Sequence, residues 1–329
     1  MRRPRKASPA RGFTLVEILV ALVLGMLVLG SVALAFAATS RNRGELERSA
    51  RMIENAQFAL QFLGDELRHS GFFAEMNLAG VGWQTPDPCA TDLAALGYAN
   101  APFTMPVPLM GYAPGAVMPA CLADQRAGTA VLVLHRLSVD PTPIADASGA
   151  AFVQVSKCTT DAKTWVISSH ASDFTLHNLD CATAADVRRV VTRAYYVAAC
   201  DDCSVDRIPT LKRVELDGTN VDVTPLVEGV ENLQAEYGFD GDGDGVADRW
   251  LAAPDASIAP AYGDWSNVMA VRLYAMVRAT DSASGHEDAT RTFNLGPAGY
   301  VAAPDDGYKR VQLSSIVRLA NVAGPRETP

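Results

Sequence analysis

The chain has 329 residues, of which 49% are hydrophobic and 20% charged, with a formal net charge of −9. That suits one membrane helix followed by one fairly large globular domain. Five basic residues (Arg2, Arg3, Arg5, Lys6 and Arg11) open the chain, so the remainder is more acidic still, and overall charge gives no support to a nucleic-acid-binding surface. A local basic cluster of Arg188, Arg189, Arg193, Lys212 and Arg213 reads as the outward faces of strands.

From Gly12 to Ala38 the sequence is apolar apart from small or hydroxyl residues and one acid, Glu17. The run exceeds the ~20 apolar residues needed to cross a bilayer as a helix. With the basic leader on one side, the orientation is cytoplasmic leader and exported remainder. An acid at that depth costs on the order of a few kcal/mol, so it marks function. The cleavable-looking junction, Gly12-Phe13, lies before the apolar run, whereas a secretory signal is cut after its own.

Residues 39–70 read as an amphipathic continuation of the same helix. Leu46, Ala50, Ile53, Ala56, Leu60, Leu63 and Leu67 recur at three- and four-residue intervals. The helix is expected to end near Ser70-Gly71, where glycine suits the cap, after roughly 85 Å at 1.5 Å per residue. From Gly71 to about Pro119 the frequent Gly and Pro predict irregular, packed loops, so residues 71–128 form a loop-rich segment. Strands are predicted at Thr129–Leu137, Ala151–Val155, Thr164–Ser168, Val187–Ala198, Thr210–Leu216, Asn232–Phe239, Asn267–Ala279, Ala289–Leu295 and Lys309–Leu319. The fold class is α+β: a long amino-terminal helix on an antiparallel sheet, with residues 129–329 as the β domain.

Six cysteines (Cys89, Cys121, Cys158, Cys181, Cys200 and Cys203) all lie beyond the apolar run, which points to disulfides in an oxidising compartment. Fifteen connectivities are possible; the expectation adopted is sequential pairing, each bridge closing a local loop. Cys200-Asp-Asp-Cys203 has CxxC spacing, yet no second CxxC completes a zinc site. It follows a strand-like run, where a redox pair would open a helix. A hairpin staple is the better reading.

Asp240-Gly-Asp-Gly-Asp-Gly-Val-Ala-Asp248 places Asp240, Asp242 and Asp244 at positions one, three and five of a calcium-type loop. Gly245 stands at the turn, the Val246 carbonyl at seven and Asp248 at nine. Hard oxygens crowded on a small loop suit Ca²⁺. Position twelve is Leu251 where a bidentate glutamate belongs, so another ligand is required, with Asp255 and Asp264 nearby. The bland reading is a solvated acidic hairpin turn. The five histidines show no metal-ligand spacing, and neither a GxSxG elbow nor a P-loop is present. No enzymatic role is expected.

Gly12 followed by Phe13, Thr14, Leu15, Val16 and Glu17 resembles the class III signal of type IV pilins and type II secretion pseudopilins. The resemblance implies cleavage after Gly12 by a prepilin peptidase, leaving residues 1–12 as the leader and 13–38 as the transmembrane half of the helix. It further implies N-methylation of Phe13, and pairing of Glu17 with the amine of a neighbouring subunit. Asp65, Leu67, Arg68, Gly71 and Phe72 are similar to the end of the first helix in PilW-type minor pilins, and residues 187–321 are similar to the rest of that family. The family implies an inner-membrane subunit with a periplasmic domain, carried into the pilus at its tip, where minor pilins prime or cap assembly. Implied partners are other minor pilins, the major pilin, the assembly platform and a tip adhesin. Related pseudopilins bind calcium. Alternatives are a J-type type II secretion pseudopilin and a membrane-tethered periplasmic binding domain.

Overall fold

The computed structural model describes residues 12–217, 220–283, 285–288 and 290–327. The basic leader through Arg11 lies outside them. One helix, α1 (Leu15–His69), runs for 55 residues. It is the one helix among the described residues long and apolar enough to cross a membrane. The chain divides into two compact units, residues 1–50 and residues 51–329. In the first, the side chains from Phe13 to Phe36 are all exposed, with Phe13 at 84%. An apolar surface so continuous is stable against lipid or other apolar helices.

In the second unit, α1 buries Met52, Ala56, Ala59, Leu60, Leu63 and Leu67. Their three- and four-residue spacing places them on one stripe. Leu46, Ala50 and Ile53, expected on that face, are all exposed, Leu46 at 70% and Ile53 at 41%. The stripe passes through Met52 instead, because three- and four-residue steps accommodate either neighbour. Each leucine so buried contributes ~1.5–3 kcal/mol. The helix ends as expected: Gly71 adopts φ +74°, a conformation that penalises any side chain, and its N–H donates to the His135 carbonyl at 3.0 Å.

Residues 71–128, expected to be irregular, contain four short strands: β1 (Gly82–Gln84), β2 (Ala99–Asn100), β3 (Phe103–Pro106) and β4 (Leu109–Tyr112). They escape sequence reading because two to four residues between prolines carry no measurable alternation. The next strands are β5 (Val131–Leu137), β6 (Phe152–Val155), β7 (Trp165–Ser168), β8 (Val187–Ala198), β9 (Thr210–Asp217) and β10 (Asn220–Glu228). After them come β11 (Val230–Phe239), β12 (Arg249–Leu251), β13 (Val268–Arg278), β14 (Thr292–Asn294), β15 (Tyr300–Ala302) and β16 (Arg310–Arg318). The predicted strand from Ala289 is thus shorter, and Ala289 itself lies outside the described residues. Strand β10 was not expected, since it is an exposed, polar edge interrupted by Pro225.

Two large antiparallel sheets, flanked by the small sheets β1-β3-β2 and β14-β15, replace the single one expected. The larger has seven strands with the order β10-β9-β8-β5-β4 and the β6–β7 pair attached to β8; the smaller has the order β12-β11-β13-β16. The chain crosses between them at Gly229. One pairing, β1 with β3, is parallel. The main core joins the α1 stripe to Leu132, Leu134, Tyr195 and Leu211 of the larger sheet and to Leu233, Tyr237, Leu273 and Val317 of the smaller. The helix is therefore the common wall of both sheets.

Candidate functional site

Gly12 and Phe13 precede α1, and Thr14 caps it. Glu17 Oε2 accepts from the Thr14 N–H at 2.8 Å and from the Thr14 hydroxyl at 2.9 Å, while the Glu17 N–H donates to Thr14 Oγ1 at 3.3 Å. This reciprocal arrangement is a capping box. The Thr-x-x-Glu spacing announces it, yet the sequence reading assigned Glu17 only an intersubunit role. A carboxylate over the first turn also complements the positive end of the helix dipole.

The acidic loop joins β11 to β12. Carboxylate oxygens of Asp240, Asp242 and Asp244 lie within 4.8 Å of one another. Asp240 is buried; its Oδ1 accepts from the Gly243 N–H at 2.6 Å and its Oδ2 from the Gly245 N–H at 3.0 Å. Burial favours its neutral form, but these amides and the Arg326 guanidinium outweigh it and hold the Asp240 pKa below the usual range. Asp242 Oδ1 accepts from the Asp244 N–H, and Asp244 Oδ1 from the Val246 N–H. Gly245 has φ +83°, and a Cβ there would stand 2.8 Å from the Ala323 carbonyl, so glycine is required on both counts.

Three converging carboxylates offer hard oxygen donors, the kind that suit a divalent cation. Asp248 does not join that cluster: its Oδ2 accepts from the Gly241 N–H at 2.7 Å and braces the base of the loop. Leu251 packs against the main core. The two spare acids are engaged in local turns, Asp255 with Ser257 and Asp264 with Ser266. Sequence reading missed the loop's actual partner, Arg326. Its Nη1 lies 3.0 Å from Asp240 Oδ2, and its Nη2 donates to the Ser266 carbonyl at 3.1 Å and to Asn267 Oδ1 at 2.9 Å. No local signal links positions 86 residues apart in sequence.

The basic cluster is not a row of solvated strand faces. Arg193 donates to both oxygens of Glu66 on α1, at 2.9 and 2.8 Å, and to Glu215 at 2.8 Å. Arg189 and Arg213 also pair with Glu215. Lys212 is buried and donates to the Asp201 carbonyl. Lys212 and Arg188 stand on the opposite face, Arg188 above the Phe72 ring. Burial pushes the Glu66 pKa up, yet the Arg193 hydrogen bonds and charge prevail and hold it low. The network ties α1 to β8 and β9, and it was invisible because its acids come from two distant segments.

Disulfides join Cys89 to Cys121, Cys158 to Cys181 and Cys200 to Cys203. The last closes the turn between β8 and β9. Among the described residues no histidine joins a cluster of metal-ligating side chains.

Residues 8–33 match the family model of the prokaryotic N-terminal methylation motif. Residues 194–321 match that of the Type IV Pilus-assembly protein W. No curated protein matches the chain. Among solved structures, a type IV-like pilin from Thermus thermophilus is similar at 12% identity and a TM-score of 0.35, over 83% of this chain and 98% of that one. The methylation motif covers the Gly12-Phe13 junction and Glu17, and the PilW match covers the sheet that carries the acidic loop. The chain thus carries a prepilin-type methylation motif at its amino terminus and, over residues 194–321, a match to the PilW family of type IV pilus proteins.

Proposed function

We propose that this pilin joins a minor-pilin complex that primes or caps type IV pilus assembly. The observation that carries the reading is the presence on one chain of a methylation motif with an acid inside the apolar helix and a PilW module. Prepilin peptidase cleaves after Gly12, and the new Phe13 amine is methylated. Residues 13–38 hold the subunit in the inner membrane, with the following domain in the periplasm, and later in the filament. Glu17 exchanges its intrahelical Thr14 contacts for the amine of a neighbouring subunit, a polar pairing that sets register more than stability. Other minor pilins, the major pilin, the assembly platform and a tip adhesin are the partners. The role is mechanical; no catalytic step is assigned to any residue.

Asp240, Asp242 and Asp244 would hold a Ca²⁺ ion with the Val246 carbonyl, and Asp248 would support the loop. The ion would supply positive charge that relieves repulsion among the aspartates.

Deleting the gene and scoring surface pili and type II exoprotein secretion in the same culture tests the assignment. Lost pili with normal secretion are expected. Lost secretion with intact pili would make the protein a pseudopilin. Complementation with Glu17→Ala should give a processed, membrane-inserted protein that is absent from sheared pili.

A further inference from the structure

We infer that the cleft between the segment after α1 and the β6–β7 hairpin binds a neutral saccharide. The cleft has a volume of 370 Å³, and Glu75, Asn77, Asn100, Phe103, Thr164 and Trp165 line it. Small-molecule sites run from about 300 to 1,000 Å³, so this one suits one or two sugar rings. It lies within residues 75–165, outside both family matches, which cover residues 8–33 and 194–321.

A sugar ring presents a face of C–H groups and a rim of hydroxyls, and the lining answers both. Phe103, half-buried, offers an aromatic surface for the C–H face. Trp165, at 4% exposure, backs it, with ring centroids 6.0 Å apart and planes at 53°. Two rings so packed form a rigid apolar wall. The remaining side chains are polar. Asn77 Oδ1 accepts from the Ala79 N–H at 3.0 Å, which leaves its Nδ2 to donate outward. Asn100 and Thr164 are exposed, and their side chains make no hydrogen bond among the described residues. An amide and a hydroxyl each donate and accept, which is what a sugar hydroxyl requires of its partners. Glu75 adds a carboxylate acceptor, and Lys157 Nζ at 3.2 Å offsets its charge. The balance favours an uncharged, hydroxyl-rich ligand over an anion or a cation.

The walls are set before a ligand arrives. Ser156 Oγ donates to Asp161 Oδ2 at 2.6 Å, and the same oxygen accepts from the His177 N–H at 2.8 Å. The Cys158–Cys181 bridge closes the loop behind them. The Glu75–Lys157 pair joins the segment after α1 to that loop. A preformed cleft spends little of its contact energy on ordering itself.

The test uses full-length protein in a zwitterionic detergent that carries no sugar headgroup. Glucose, galactose, mannose, N-acetylglucosamine, N-acetylgalactosamine and lactose are each titrated to about 20 mM. That exceeds the millimolar Kd expected for a ligand of roughly a dozen heavy atoms. At least one sugar is expected to bind by calorimetry and to change tryptophan fluorescence, with the optical change lost in Trp165→Phe. Asn100→Ala and Phe103→Leu should each weaken binding about tenfold. Asn100 is exposed, so Asn100→Ala should unfold at the wild-type temperature, which separates lost contact from lost fold. No binding of any of the six sugars overturns the inference. So does a sugar bound equally well by wild type, Asn100→Ala and Phe103→Leu, because it then sits elsewhere. Binding of the apolar dye ANS without any sugar response would make the cleft a plain apolar crevice, and would overturn it too.

Discussion

His135 gives the second unit a sensitivity to mild acid that can be worked through. It lies on β5 with no exposed surface, its Nδ1 donates to the Val107 carbonyl at 2.7 Å, and its Nε2 has no hydrogen-bond partner. Burial outweighs that bond and lowers its pKa from 6.5 to about 4. A base with a depressed folded pKa binds fewer protons when folded than when unfolded. Stability is therefore full above pH 6.5 and falls as pH drops from 6.5 toward 4. Integrating these values, lowering pH from 7 to 5 removes about 2 kcal/mol. For a body of this size that corresponds to a fall of ~3 °C in unfolding temperature. Asparagine at 135 keeps a donor for Val107 and does not titrate. Urea unfolding of full-length protein in detergent, followed by tryptophan fluorescence at pH 7, 6 and 5, should show a steeper loss for wild type than for His135→Asn. Parallel losses in the two proteins would refute the reasoning.

Arg310 has a fully buried side chain that donates to Glu231 at 2.6 Å and to Asp306 at 2.6 Å. Arg310→Met leaves Glu231, itself 3% exposed, with only Arg126, and should cost ~3–5 kcal/mol in the same urea assay. A loss under about 1 kcal/mol would mean the pair relaxes into solvent. Glu66, whose folded pKa lies below 4.5, contributes stability that is present above pH 4.5 and lost as pH falls further. Glu66→Gln should flatten the unfolding profile between pH 5 and pH 3, and an unchanged acid limb would argue against its link to Arg193. Replacing Cys89 and Cys121 by serine opens a loop of 32 residues and should cost ~3–4 kcal/mol, read from the shift in urea midpoint.

Much of this protein is legible along the chain because its signals are local. The apolar run with Glu17, the glycine at the helix end, the strand-like run Val187–Ala198 and the Asp-Gly repeat each depend on neighbours a few residues apart. The capping box was equally readable from Thr14 and Glu17, and it escaped only because the acid already had another explanation. Strands β1 to β4 were hidden by length, since two to four residues between prolines show no period. Strand β10 is held by its pairing with β9, not by its own pattern.

By itself the sequence determined the long apolar helix and the α+β class, since hydrophobic length and periodicity act over one or two turns. Tertiary structure alone decided that the two large sheets share one helix as a wall. It alone decided that Glu66 and Glu215 neutralise the arginines of β8 and β9, and that Arg326 sits on Asp240. The Glu66–Arg193 and Asp240–Arg326 pairings join residues 127 and 86 positions apart. A charge in sequence has no address, and only the packed chain supplies its counter-charge.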